Sequence, residues 1–197
     1  MNTITMRPPV AAAKGDRSFW LQSIDADAVT APLQGSEDCD VAIVGGGYAG
    51  LWTALRIKEQ APQTRVTVLE ADFCGSGASG RNGGQVHSWF AEIDMLRVLV
   101  GEDDALMLCR ATTDAIEELS SLQAAGTIDM DLRLDGWLWT ASSTAQEGAW
   151  AQACNVCRTI GEARFRPLQR AEILLRTGSA ASYVGIVEER AGTVQPA

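Results

Sequence analysis

A chain of 197 residues is long enough for one or two domains with a sizeable core, and 46% hydrophobic against 21% charged residues is the balance of a soluble globular protein. The net charge of −9 argues against a nucleic-acid partner, which needs a basic face, and no stretch approaches the ~18 consecutive apolar residues of a membrane span. Five cysteines, an odd count with no framework spacing, point to reduced thiols and a cytoplasmic setting.

Residues 1–36 read as an N-terminal arm and lead-in. Arg7 and Lys14 enclose no apolar core long enough for a secretory signal, and Pro8, Pro9 and Ala11–Ala13 suit a mobile arm that leads into Ser18-Phe19-Trp20-Leu21. A strand is expected at about 40–44 and a helix at about 48–60, with Leu51, Ala54 and Leu55 on one face and Arg56, Lys58 and Glu59 turned outward. Pro62 ends that helix because proline cannot continue the hydrogen-bond ladder, and a second strand follows at about 65–70.

Between the first strand and the helix lies Gly45-Gly46-Gly47-Tyr48-Ala49-Gly50, and Glu70 follows twenty residues after Gly50. This order suits a dinucleotide. Gly45 permits the tight turn, Gly47 lets backbone approach a pyrophosphate, and Gly50 lets helix and strand pack closely. The phosphates would meet free N–H groups at the positive helix end, and Glu70, followed by Ala71, would accept from the adenosine ribose hydroxyls. A carboxylate there disfavours a 2′-phosphate. The turn alone does not separate FAD from NAD.

The next segment, Gly75 to Gln85, is dominated by glycine and small residues that cannot build a core. It can bring many backbone N–H groups to an anion or a flat ring, and Ser79, Gly80, Arg81, Asn82, Gly83, Gly84 and Gln85 are expected to contact the ligand. His87 and Trp89 follow the loop, where structural packing is the better reading for each. Residues 90–125 are helical in pattern, broken at Gly101. Runs at 129–134 and 137–141, joined by Asp135-Gly136, read as a hairpin. A helix over 145–160 carries Cys154 and Cys157, a spacing attributed to chance because it has no second pair and lies inside the helix. An extended piece near Phe165, a helix near 170–175 and a strand at 183–187 complete the order.

The combination of Asp40–Gly50, Glu70, the Gly77–Gln85 loop and the closing Ala191–Pro196 resembles the FAD-dependent glycine oxidase and D-amino-acid oxidase group, in particular its γ-glutamylputrescine oxidase-like branch. The match spans nearly the whole chain, and Ser79-Gly80-Arg81-Asn82-Gly83-Gly84 is its most specific part. The resemblance implies an α/β fold: a Rossmann-like FAD-binding domain with an incomplete parallel sheet, plus part of an antiparallel α+β substrate domain. The expected boundaries are 37–127 for the first FAD-binding segment with its helices, 128–191 for the partial substrate domain and 192–197 for the start of a return to the FAD domain. It also implies FAD held at Gly45–Gly50 and Glu70, and oxidation of a carbon–nitrogen bond in an amine or amino acid, with dioxygen as acceptor. No catalytic residue is assigned and no metal is expected.

Members of this group continue well beyond the point matching Pro196, and a parallel sheet of two strands cannot be covered on both faces by one helix. A second polypeptide supplying the missing half is therefore expected, with a truncated and inactive product as the other reading. An NAD-dependent dehydrogenase fragment accounts for the turn and Glu70 but leaves the loop unexplained. A non-catalytic flavin- or nucleotide-binding subunit is the remaining alternative.

Overall fold

A computed structural model describes residues 18–23, 31–126 and 128–197, so the expected arm at 1–17 lies outside the described residues. The chain divides into two compact units, one formed by residues up to Gly83 with Pro196–Ala197 and the other by Gly84–Gln195.

In the first unit, a short helix α1 (Phe19–Ser23) precedes β1 (Val41–Val44), α2 (Tyr48–Gln60) and β2 (Val66–Leu69). The two strands pair in parallel with Val41 opposite Val66 and Val44 opposite Leu69. Their starting ends are tied together by Asp40 and Arg65: the Arg65 N–H and guanidinium both donate to the Asp40 carboxylate, at 2.8 and 3.1 Å. Helix α2 ends where the sequence dictates, with Ala61 N–H donating to the Ile57 carbonyl before Pro62. No α2 residue is fully buried, and Val44 at 87% and Leu51 at 42% exposure show how little covers this parallel pair. After a 3-10 turn (Ala78–Gly80), the loop is held back to α1: Ser18 Oγ donates to the Gly80 carbonyl at 2.6 Å, and the Trp20 indole N–H donates to the Asn82 carbonyl at 2.8 Å.

The second unit opens with β3 (Gln85–Val86), a 3-10 turn (Trp89–Glu92), α3 (Ile93–Val100) and α4 (Glu102–Ala124). Gly101, at φ +88°, makes the expected break between the two helices. Next come β4 (Trp137–Ala141), α5 (Ala151–Thr159), β5 (Arg166–Leu168), α6 (Arg170–Thr177), β6 (Val184–Glu188) and β7 (Gly192–Thr193). Strands β4, β6 and β5 form an antiparallel sheet with β6 in the centre, while β3 pairs with β7. One core joins Phe90, Ile93 and Cys109 to Ala153, Val156 and Cys157 of α5. A second joins Leu168 and Val187 to Ile173 of α6, with Leu138 packed against it. Through the first core, α3 and α4 bury their apolar stripes against α5.

The hairpin expected across Asp135-Gly136 does not form. Trp137–Ala141 pairs with β6, and the 129–134 run meets the chain around β7 instead: Arg133 and Thr193 exchange both backbone hydrogen bonds at 2.9 Å, and the Met130 carbonyl accepts Gln195 N–H at 2.8 Å. Gly192 permits this approach, because a Cβ there would lie 1.8 Å from the Arg133 carbonyl oxygen. Gly136, at φ +99°, turns the chain as a corner and donates its N–H to Ala191. The helix expected over 145–160 is shorter: a 3-10 turn at Thr144–Gln146 is separated from α5 by Gly148 at φ +73°, a left-handed residue that an α-helix does not accept.

Candidate functional site

The candidate cofactor site is the turn between β1 and α2. Gly45 has φ +104°, a region costly for any residue with a Cβ, and its N–H donates to Leu69 O at 2.8 Å, which fastens the turn to the end of β2. A Cβ at Gly50 would lie 2.0 Å from the Gly45 carbonyl oxygen, so only glycine allows helix and turn to meet here. Gly47 extends into α2 with no side-chain cap of its own, and a Cβ there would meet the Ser79 hydroxyl at 3.0 Å. Ser79 Oγ accepts the Tyr48 N–H at 2.9 Å and so supplies the cap from the loop. The N–H groups of Gly47, Ala49 and Gly50 donate to no protein acceptor among the described residues. Donors of this kind at the positive end of a 13-residue helix fit a pyrophosphate.

Glu70 is drawn into the same turn. One carboxylate oxygen accepts Gly46 N–H at 2.6 Å, and the other accepts Ala71 N–H at 2.8 Å and Asp72 N–H at 3.2 Å. These bonds, above all the one from Gly46, hold its pKa below the usual carboxylate value. The sequence predicts that Glu70 receives ribose hydroxyls; what the structure shows is that its carboxylate braces the turn. A carboxylate offers about four acceptor positions, so three N–H donors leave room for a further hydroxyl.

The loop meets the turn through few atoms. Asn82 donates its amide to Ser79 O at 2.7 Å and lies 3.5 Å from the Tyr48 hydroxyl, which itself donates to Pro196 O at 2.9 Å. Gly80 is buried, and a Cβ there would lie 2.2 Å from Gly75 O. Arg81 turns its Nε to Ser76 O at 2.5 Å. Gly83 closes this unit, whereas Gly84 and Gln85 belong to the other one, where Gln85 pairs with Thr193. One contributor was not anticipated: Cys74 packs on Gly46 so closely that a Cβ at Gly46 would lie 2.5 Å from its sulfur. Tyr48, expected at the turn, acts through its hydroxyl as well as its backbone. Both contacts depend on which distant segments fold back on the turn, which no local stretch of sequence states.

His87 stacks on Trp137 at 5.1 Å, while Trp89 is 45% exposed and its N–H donates to Thr112. Cys157 and Cys109 are core residues whose thiols burial pushes up to about 12 and about 11, which makes them apolar packing groups rather than nucleophiles. Among the described residues no helix is long and apolar enough to cross a membrane.

A parallel strand–helix–strand unit with a glycine turn and a terminal acid, together with a unit built on an antiparallel sheet, defines a dinucleotide-binding protein of the α/β class. Comparison with known proteins narrows this. Residues 40–197 match the DAO family, described as FAD dependent oxidoreductase. The chain is 33% identical over 176 residues to γ-glutamylputrescine oxidoreductase of Escherichia coli (strain K12), an alignment covering 89% of this chain and 40% of that protein. Among solved structures, L-amino acid deaminase from Proteus myxofaciens superposes with TM-score 0.64 at 19% identity, covering 85% of this chain and 36% of that one. Glycine oxidase from Bacillus cereus gives 0.60 at 18%, covering 81% and 40%. This chain belongs to the DAO family of FAD-dependent oxidoreductases, and FAD is the cofactor of that family. It spans about two fifths of the length of the E. coli relative.

Proposed function

We propose that this chain contributes the ADP-binding half-site and part of the substrate-binding unit of a flavoenzyme that oxidises the carbon–nitrogen bond of an amine or amino acid to an imine, with dioxygen as acceptor. The observation that carries the reading is the turn itself: the N–H groups of Gly47, Ala49 and Gly50 have no protein acceptor among the described residues, in a turn that a Cβ at Gly50 would force apart by meeting the Gly45 carbonyl oxygen at 2.0 Å. The 33% identity to γ-glutamylputrescine oxidoreductase supports an amine as the substrate class.

In this reading Gly45–Gly50 bind the pyrophosphate, and Glu70 with Ala71 positions the ribose while holding the turn closed. Ser79, Gly80, Arg81, Asn82, Gly83, Gly84 and Gln85 line the path towards the isoalloxazine ring. Bound there, the flavin supplies the two-electron acceptor for the reaction; the protein's part is to bind, orient and exclude water. The reading includes a second polypeptide that completes the parallel pair, since Val44 at 87% and Leu69 at 38% exposure are far outside what a parallel sheet ordinarily shows to solvent.

The test is a visible absorption spectrum of the purified protein, with mass analysis of every polypeptide in the same peak, followed by anaerobic addition of primary and secondary amines. A flavin spectrum that bleaches with an amine is the expected result. Retained flavin that no amine or amino acid bleaches would overturn the substrate class, and failure to retain FAD in any pairing of chains would overturn the half-site.

A further inference from the structure

The second unit holds a buried carboxylate whose acceptor capacity the described residues leave almost unused. Glu188, the last residue of β6, is 4% exposed. One of its oxygens lies 3.4 Å from Ser88 N–H, at the long limit of a hydrogen bond, and no other group among the described residues donates to it. Ser88 is itself fully buried; its Oγ accepts Phe90 N–H at 3.3 Å, and its hydroxyl proton reaches no protein acceptor among the described residues. Buried carboxylates are ordinarily saturated with donors or paired with a cation, and among the described residues Glu188 is neither.

The surroundings of Glu188 suit a cation of a particular kind. In the β4–β6 pair Glu188 stands opposite Trp137, and Ile186 stands opposite Trp139, so all four share one face of the sheet. The other face carries Leu138, Val187 and Leu168, closed by Ile173 of α6. On the Glu188 face the aromatic rings form a run: His87 on Trp137 at 5.1 Å, Trp137 to Trp139 at 5.8 Å, and Trp139 to Trp150 at 6.2 Å. The indoles are half-buried, not sealed. Indole faces attract cations and also pack against alkyl chains. A metal ion does not suit this set, because no group of three or more His, Cys, Asp or Glu residues that could hold one is found among the described residues.

We propose that this face binds an organic ammonium ion, with its apolar part lying along Trp137 and Trp139 and its N–H groups donating to Glu188. The proposal rests on the amine-oxidising reading only for the claim that this cation is the substrate amine; the binding itself does not require that reading.

The experiment is a tryptophan fluorescence titration of the purified chain with n-hexylammonium chloride, run in parallel with n-hexanol as the neutral analogue. Saturable quenching by the ammonium and a far weaker response to the alcohol are expected. Glu188→Gln, checked for folding by circular dichroism, should weaken ammonium binding by about tenfold or more, the scale of losing a charge-assisted hydrogen bond. Should that variant fail to fold, Trp139→Leu removes part of the platform without touching the carboxylate and should weaken binding several-fold. Equal responses to ammonium and alcohol, or unchanged affinity in a folded variant, would overturn the proposal. FAD retention by the same sample is read separately from flavin fluorescence. Ammonium binding without FAD retention would remove the flavoenzyme reading and leave this site standing, and the reverse pattern would remove this site alone.

Discussion

At the scale of single residues, the turn depends on atoms that are absent as much as on those present. Gly47→Val places a branched side chain in the phosphate approach and against the Ser79 hydroxyl, so FAD retention should be lost; an unchanged flavin content would refute the half-site. Gly50→Ala drives a methyl into the Gly45 carbonyl, 2.0 Å from the Cβ position, and should lower stability in chemical denaturation by about 1–3 kcal/mol, the cost of overpacking. Glu70→Ala should weaken FAD binding by about 1–3 kcal/mol, measured by flavin fluorescence titration. The pH dependence of Glu70 has a definite sign. Its N–H donors depress the folded pKa below the ordinary 4.5, so its contribution to stability is complete above that value. It fades as pH falls through the depressed folded value. A carboxyl-carbon NMR titration that places the Glu70 midpoint at or above 4.5 would contradict the bracing role.

At the scale of elements, each unit stands on pairings distant in sequence. Phe90, fully buried between α3 and α5 with the Arg164 guanidinium 4.6 Å above its ring, is the largest of the core side chains that hold the helices together. Phe90→Ala should cost about 3–5 kcal/mol in urea denaturation, because truncation removes apolar contact and leaves a cavity. The β5–α6–β6 corner is knitted differently, by Arg166 and Arg176 shared between Glu172 and Glu189. These side chains remain partly open to solvent, so their network fixes geometry more than it adds stability. The contrast shows where sequence reading succeeds. Helix α2 matches its expected bounds because Gly47, the apolar spacing and Pro62 are all local signals. The Asp135-Gly136 hairpin does not form because a turn signal fixes a bend but not which strand lies beyond it; β4 pairs with β6, and Arg133 with Thr193.

At the scale of the whole molecule, apolar surface is what the described residues leave open. Val44 at 87% in the first unit and Val98 at 85% and Leu99 at 68% in the second are exposed far beyond what a finished core permits. Purified alone, the chain should self-associate with rising concentration in sedimentation velocity, and Val98→Lys should reduce that association. A strictly monomeric parent chain would show that these faces are tolerated in water. The formal charge of −9 opposes association at neutral pH, and the effect should be strongest near the isoelectric point of about 4.6, where that repulsion vanishes.

The sequence by itself determined the strand–turn–helix–strand order, the glycine positions and the acid after the second strand. All of these follow from constraints that act within a few residues of backbone or at fixed spacing along it. Tertiary structure alone decided that Glu70, expected to meet the ribose, braces the turn, that Ser79 caps α2 from another loop, and that Cys157 lies in the core. It also decided that Glu188 is buried beside the tryptophan face. Burial and hydrogen-bond partners are properties of segments brought together from far apart, and which segments meet is set by the combined burial of many apolar faces, a quantity that no local stretch of chain encodes.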